Sequence, residues 1–291
     1  MSWKLIDPRR LVLPAVLSVL GAAACSGDKA ASGTGGSAPA PSSSAACSGT
    51  VLFGRPVPAT GLSAAQCQPR CSCQGAAWQA PDYTAADVDA LAAWKLVTPY
   101  AELTSDPYVG PAPAPPSTAQ ADAVCAVVPA SAGSHDYELQ TFSSSNEAKS
   151  HGAIPTHFGA CGLCSPLADL QVYMKNPDLG APVKACGLKY ISGPKSAHLK
   201  CLQDLGFDLP CAEIWYYNTT HTASLCLSAC SGPGADTYNL PDGTLSPCLQ
   251  CDEDKSGPVF KAIAGRTRRD TGIASAICRP CSEVRPLIHK Y

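Results

Sequence analysis

Residues 151–169 read HGAIPTHFGACGLCSPLAD, and no other stretch of this length gathers so many reactive side chains. It holds His151 and His157, the pair Cys161 and Cys164, and a helix start at Ser165-Pro166 with Asp169 one turn inside. Ser165 is predicted to cap that helix, and Pro166 to take its first position, where a missing N–H costs nothing. Cys164 then sits at a helix N-terminus, a placement that lowers the pKa of a free thiol and favours the thiolate. A C-x-x-C at a helix start is also the arrangement of thioredoxin-like redox proteins. Whether these sulfurs are free, bridged or metal-bound decides how the rest of the chain is read.

The N-terminus bears on that question first. Lys4, Arg9 and Arg10 precede an apolar run from Leu11 to Ala24, broken only by Pro14, Ser18 and Gly21, and Ala22-Ala23-Ala24 leads into Cys25. Charge, apolar length and small-residue cleavage site predict a secretory signal peptide over residues 1–24. The run is too short for a spanning helix. The junction Ala24-Cys25 resembles a bacterial lipobox, with Ala22 where Leu is usual, which predicts a lipid on Cys25 and a cell-envelope location. The alternative is cleavage just after Cys25 and secretion. Arg9-Arg10 resembles a twin-arginine export signal, but its neighbours fit poorly, so export of the unfolded chain is expected.

The chain carries 17 cysteines, and setting Cys25 aside leaves an even sixteen. In an exported protein that parity reads as up to eight disulfides. Losing Lys4, Asp7, Arg9 and Arg10 from a total of 21 Lys+Arg and 23 Asp+Glu leaves a net charge near −4. That balance gives no reason to expect nucleic-acid binding.

Residues 25–46 are almost all Ser, Gly, Ala and Pro and read as a tether, since they cannot bury enough apolar surface to offset their ordering entropy. Residues 47–106 form a small cysteine-rich unit containing Cys47, Cys67, Cys71 and Cys73, with a helix predicted from Thr84 through Val97. Residues 107–116 are a proline-rich linker. The main domain, 117–291, is expected to be helix-rich α+β with a minor sheet, stapled by disulfides. Its elements are a short helix capped at Ser117 or Thr118 and running through Val127, and strands at Asp136–Phe142 and Leu188–Ile191. Helices follow after Ser165, after Ser196, from Pro210 to Gly232, and from Ser256 through AGRTRRD to Cys278.

Three groups of residues could carry chemistry. His151, His157 and Asp169 offer a catalytic or weak metal site with an open position for water. The plain alternative is that both histidines satisfy loop backbone while Asp169 favours a helix N-terminus. Arg266, Arg268 and Arg269 offer guanidinium forks for an anion, with ion pairs to Asp270, Glu283 or Asp252 as the competing reading. Cys161 and Cys164 are the redox candidates, although structural bridges to distant partners are favoured for every C-x-x-C here. Asp252-Glu-Asp254-Lys-Ser256-Gly257 matches half an EF-hand loop, but Ile263 stands where a bidentate Glu is needed, so a turn before a helix is preferred. Asn218-Thr-Thr220 is a glycosylation sequon. Trp215 on the helix from Pro210 is read as core packing. No cofactor is required by any motif.

The strings THFGACGLCSPLADLQVYM, CLQCDEDKSGPVFK and GRTRRDTGIASAICRPC resemble a family of secreted cysteine-rich proteins marked by H-x-G-x-C-G-x-C-S and G-R-T-R-R blocks, over Tyr137–Tyr291. The resemblance implies no activity. It implies that His157, Cys161, Cys164, Ser165, Asp169, Arg266, Arg268 and Arg269 belong to one domain.

The leading expectation is therefore an exported, lipid-anchored module whose disulfides fix a surface for an extracytoplasmic small molecule, glycan or protein. A metal-assisted enzyme using His151, His157 and Asp169 is the first alternative, and a thiol–disulfide oxidoreductase using Cys161 and Cys164 the second.

Overall fold

The computed structural model describes residues 47–110, 122–190 and 193–291. The signal peptide, Cys25, the tether, most of the proline-rich linker and the helix start expected at Ser117 or Thr118 lie outside the described residues. The fold is α+β, rich in helix, with small sheets and many disulfides.

The chain begins with five short strands: β1 (Cys47–Ser48), β2 (Leu52–Phe53), β3 (Cys67–Gln68), β4 (Arg70–Cys73) and β5 (Ala76–Gln79). β1, β4 and β5 form an antiparallel sheet, and β2 pairs in parallel with β3. Gln74 and Gly75, both at positive φ, turn the β4–β5 hairpin, the geometry whose twist suits a two-residue turn. Sheets this small cannot bury a core of their own, and the structure shows where they find one. Cys67 is bridged to Cys278 and Cys71 to Cys281, Phe53 pairs with Arg279, and the Thr60 hydroxyl donates to Ala276 O at 2.6 Å. Residues 47–106, expected as a separate unit, therefore share their core with the end of the chain.

α1 (Ala85–Ala90) has the expected capping box of Thr84 and Asp87, but it stops well short of Val97. A 3₁₀ turn follows, and Lys95–Leu96 (β6) pairs in parallel with Asp136–Tyr137. The larger sheet runs β6-β8-β7-β9, with β7 at Val124–Pro129, β8 at Asp136–Phe142 and β9 at Ile154–Phe158. β8 lies where the alternation placed it. β7 corrects the helix expected through Val127: Val124-Cys-Ala-Val-Val is a short apolar run rich in β-branched side chains and sits between two strands. α2 (Ser145–Ser150) joins β8 to β9. Opposite β7, Cys125 faces His157 but Ala126 faces Pro155, so Thr156 is an extra residue, a β-bulge.

The rest is helical: α3 (Leu167–Lys175), α4 (Gly180–Tyr190), α5 (Lys195–Asp204), α6 (Leu209–Ser231), α7 (Pro247–Lys255), α8 (Gly257–Ala264) and α9 (Arg268–Thr271). Leu167, Leu170, Leu202 and Ile214 meet Tyr137 from β8 in the main core, all fully buried. The strand expected at Leu188 is the last turn of α4. The single helix expected from Ser256 to Cys278 is broken at Gly265, whose φ of +74° ends α8.

Eight disulfides link the described cysteines, every one of them paired. None closes a C-x-x-C on itself. Cys226 and Cys230 on α6 face Cys251 and Cys248 on α7, two rungs joining a helical hairpin. Such a density of bridges marks an oxidising, extracytoplasmic compartment. Among the described residues no helix is long and apolar enough to cross a membrane.

Replacing Cys71 and Cys281 together by Ala is expected to lower unfolding free energy by roughly 2–4 kcal/mol, because the lost bridge closes a loop of 210 residues. Urea denaturation followed by circular dichroism measures it, and an unchanged midpoint would contradict the shared core.

Candidate functional site

Most of the residues singled out in the sequence prove to be architecture. Cys161 is bridged to Cys125 and Cys164 to Cys211, so no dithiol exists for redox exchange at this C-x-x-C. Ser165 does not cap α3; the cap position is Pro166, without a side-chain bond. The Ser165 hydroxyl instead lies 2.7 Å from His157 Nε2 and accepts the Gly162 N–H at 2.8 Å. His157 donates from Nδ1 to Phe158 O at 2.9 Å, which leaves Nε2 to accept from Ser165. Burial, and then the Arg266 charge, push the imidazole pKa well below its usual value, so it is neutral. This serine–histidine pair has the contacts of a nucleophile and its base, but both residues are fully enclosed and no substrate can reach them.

Asp169 is buried as well. One of its oxygens accepts the N–H of Asp208, the residue that starts α6, at 3.0 Å, and the other has no partner. Burial, and then Asp208, hold its pKa well above the carboxylate range, which favours the neutral acid. His151 ends α2 at the solvent surface, its Nδ1 3.0 Å from Glu147 O and its ring against Phe142. The metal site proposed for His151, His157 and Asp169 is therefore not assembled. Among the described residues no group of three or more His, Cys, Asp or Glu side chains could hold a metal ion.

Arg266 fills the space between these parts. It is fully buried and donates to Cys164 O, Thr156 O, Thr156 Oγ1 and Ser165 O at 2.6–2.9 Å. These contacts satisfy the carbonyl and hydroxyl of the bulged residue in β9 together with the loop before α3. Nothing remains for an external anion, which corrects the ligand-binding expectation at this position. Arg269 is likewise taken, by Glu253 and Glu283. Arg268, like Arg266, makes no ion pair, but unlike Arg266 it is only half-buried.

The space a ligand could occupy lies elsewhere, between helices. A cavity of about 360 Å³ opens between the ends of α3 and α4, the middle of α6, α7, α8 and the segment 267–279. Volumes of this order hold small organic ligands. Its wall is mostly apolar: Leu179 and Val183 from α3–α4, Trp215 from α6, Leu249 from α7, Phe260 from α8 and Ile277. Gly187 lets α4 approach α6, since a Cβ there would lie 2.5 Å from Thr219 Cγ2. Cys186–Cys201 ties α4 to α5, and the two rungs already described tie α6 to α7. The bridges fix each of these helix pairs at close range and so limit how the helices around the space can shift. A second cavity of about 340 Å³ lies at the start of α6, between Leu96, Tyr100, Leu163 and Pro210.

Polar groups enter the larger cavity at a few points. Glu253 accepts from Arg269, Arg279 and Lys261. Burial alone would raise its pKa, but these three cations, Arg279 first, outweigh it and hold the carboxyl at about 2. Asp252 accepts from Asn218 Nδ2 at 3.1 Å and from the Thr222 hydroxyl, and burial raises its pKa. Ser256 Oγ lies 2.7 Å from Thr222 Oγ1 and 3.0 Å from His221 Nδ1, while Tyr108 stacks on His221 and donates to Asn218. Ser256 is fully enclosed, so this network pins the α7–α8 corner to α6 and does not present a nucleophile. The half EF-hand motif is consumed in it: Asp252 to Lys255 are the last turn of α7. Asn218 is buried in α6, which removes the sequon from the surface.

The profile of a family of unknown function (DUF8771) matches residues 195–286, which hold α5 to α9 and much of the cavity wall. No curated protein and no solved structure matches the chain.

Arg266→Met is expected to orphan the buried carbonyls of Thr156, Cys164 and Ser165 and to cost about 3 kcal/mol or more. Arg266→Lys recovers little of it, since one ammonium cannot replace a planar fork. Chemical denaturation of both variants is the measurement, and native-like stability of Arg266→Met would remove Arg266 from its structural role.

Proposed function

We propose that this chain is an exported, lipid-anchored binding module, and that its ligand is a small, predominantly apolar molecule held in the cavity between α4, α6, α7 and α8. The observation that carries the reading is the cavity itself: of ligand size, apolar over most of its wall, and built from helices that disulfides tie to their neighbours. Leu188 and Leu227, both on its lining, are each 64% exposed. Large aliphatic side chains left in water at the rim suit a site that admits apolar ligands. The rigid frame lowers the ordering cost of binding. The buried state of His157, Ser165 and Asp169 argues against the enzymatic alternative at those residues, and the bridging of Cys161 and Cys164 against the redox one.

The uncharged fluorophore N-phenyl-1-naphthylamine tests the site. Its emission is expected to rise and shift to the blue on mixing with the protein, and to quench Trp215. Val183→Trp, which fills the cavity from α4, is expected to abolish the signal while leaving the far-ultraviolet circular dichroism unchanged. Equal probe binding by the filled variant would overturn the reading.

The anchoring part of the proposal rests on Cys25 after Ala22-Ala23-Ala24 and on the Ser/Gly/Ala/Pro tether behind it. A lipid at that cysteine would hold the binding body near the membrane without a spanning helix. Expressed in a bacterial host, the protein is expected in the membrane fraction, and Cys25→Ser in the soluble or uncleaved fraction. Intact mass spectrometry showing an unmodified Cys25, or a mature chain beginning after it, would sink this part alone.

A further inference from the structure

The charges on the cavity wall are not balanced. Lys184, Lys261, Arg268, Arg269 and Arg279 outnumber Asp178, Asp252 and Glu253, in a chain whose formal net charge is −2. Most of these cations are engaged: Glu253 takes Lys261, Arg269 and Arg279, and Glu283 also takes Arg269. Arg268 differs. Its guanidinium donates to two main-chain carbonyls, Tyr173 O at 2.8 Å and Asn176 O, and lies 5.4 Å from the centre of the Tyr173 ring. Among the described residues it has no ion pair.

Carbonyl oxygens and a ring face orient a guanidinium and satisfy part of its donors but carry no full charge, and Asp178 on the same wall acts on it through space without an ion pair. The side chain is held from behind by the end of α3 and is still partly open, with the apolar wall of Leu179, Val183, Trp215 and Phe260 in the same cavity. A preformed cation beside an apolar chamber matches one chemical class of occupant. We propose that the cavity takes a single-chain anionic amphipath, its carboxylate or phosphate head paired with Arg268 and its apolar body against α4, α6 and α8. The proposal rests on the reading of this cavity as a binding site, and adds to it the charge of the ligand and the residue that selects it. A fully hydrocarbon ligand would leave Arg268 desolvated with no counter-ion in contact, whereas an oxyanion would form charge-assisted hydrogen bonds with it.

Head-group discrimination by the intact mature protein decides the matter. Dodecanoate, dodecyl phosphate and uncharged dodecanol, each below its critical micelle concentration, are titrated against bound N-phenyl-1-naphthylamine. At least one of the anions is expected to displace the probe roughly tenfold or more tightly than dodecanol does. Which anion is preferred tells a fatty-acid-like ligand from a phosphate-headed one. Arg268→Met is expected to erase the preference while keeping dodecanol binding, and Arg268→Lys to keep part of it. Wild-type protein that binds dodecanol as tightly as both anions, or an Arg268→Met variant that keeps the preference, overturns the assignment to Arg268 and leaves the apolar cavity standing. Failure of all three compounds and of the probe overturns the cavity reading, and this proposal with it. Should Arg268→Met not fold, the wild-type comparison and Arg268→Lys still decide.

Discussion

The structure depends on one backbone crossing, where the loop before α3 lies on the end of α8. Gly162 and Gly265 meet there with no room for a side chain: a Cβ on Gly162 would lie 2.4 Å from Ile263 O, and one on Gly265 2.5 Å from Gly162 N. The contact lets Leu163 and Cys164 donate to the carbonyls of Ile263 and Ala264 at 2.9 Å, satisfying acceptors that a helix end leaves open. Gly265 then turns the chain so that Arg266 points back into the crossing. There its guanidinium closes the bulge of β9 and the loop in one set of bonds. The two sequence blocks richest in reactive side chains are thus the two halves of a single joint.

Around that joint the disulfides divide the labour. Cys125–Cys161 and Cys164–Cys211 fasten the loop to β7 on one side and to α6 on the other. Cys67–Cys278 and Cys71–Cys281 fold the small N-terminal sheets onto the last part of the chain. The remaining helical bridges set the spacing of α4, α5, α6 and α7. A core reinforced covalently does not need to fill every space, and the apolar cavity is consistent with that freedom. The bridges and the buried joint hold the fold together, while the apolar cavity lies apart from that joint, among the helices.

Local signals in the chain were reliable where they were strong. The alternation at Asp136–Phe142, the capping box at Thr84, the stop at Gly232 and the break before Pro177 all have counterparts in the structure, because each depends on a few neighbouring residues. Val124–Pro129 misled because a short apolar run is helix or strand according to its neighbours, and the partners of β7 come from β8 and β9. The run from Ser256 was read as one helix because Gly265 inside a helical pattern is a weak signal until its crossing partner is known. The site was less legible still. Histidine, cysteine and arginine drew attention as chemistry, yet a side chain that can bind a metal or anion can equally satisfy a buried carbonyl. The apolar part of the cavity wall is Leu, Val, Phe and Trp, which in a sequence look like any core; even Trp215, read as core packing, lines the space.

What the sequence determined by itself is the kind of protein: a cysteine-dense chain, helix-rich α+β in class, with sulfurs destined for distant partners. Those properties follow from counts, local periodicity and the redox chemistry of the compartment, none of which requires knowing what meets what. Only the tertiary structure decided which cysteines pair, that Arg266 is a bolt while Arg268 faces a cavity, and that the cavity exists. The reason is geometric. An arginine's role is set by whether a carboxylate, a carbonyl or open space lies at the end of its side chain, and for Arg266 and Arg268 the carbonyls come from segments about a hundred residues away.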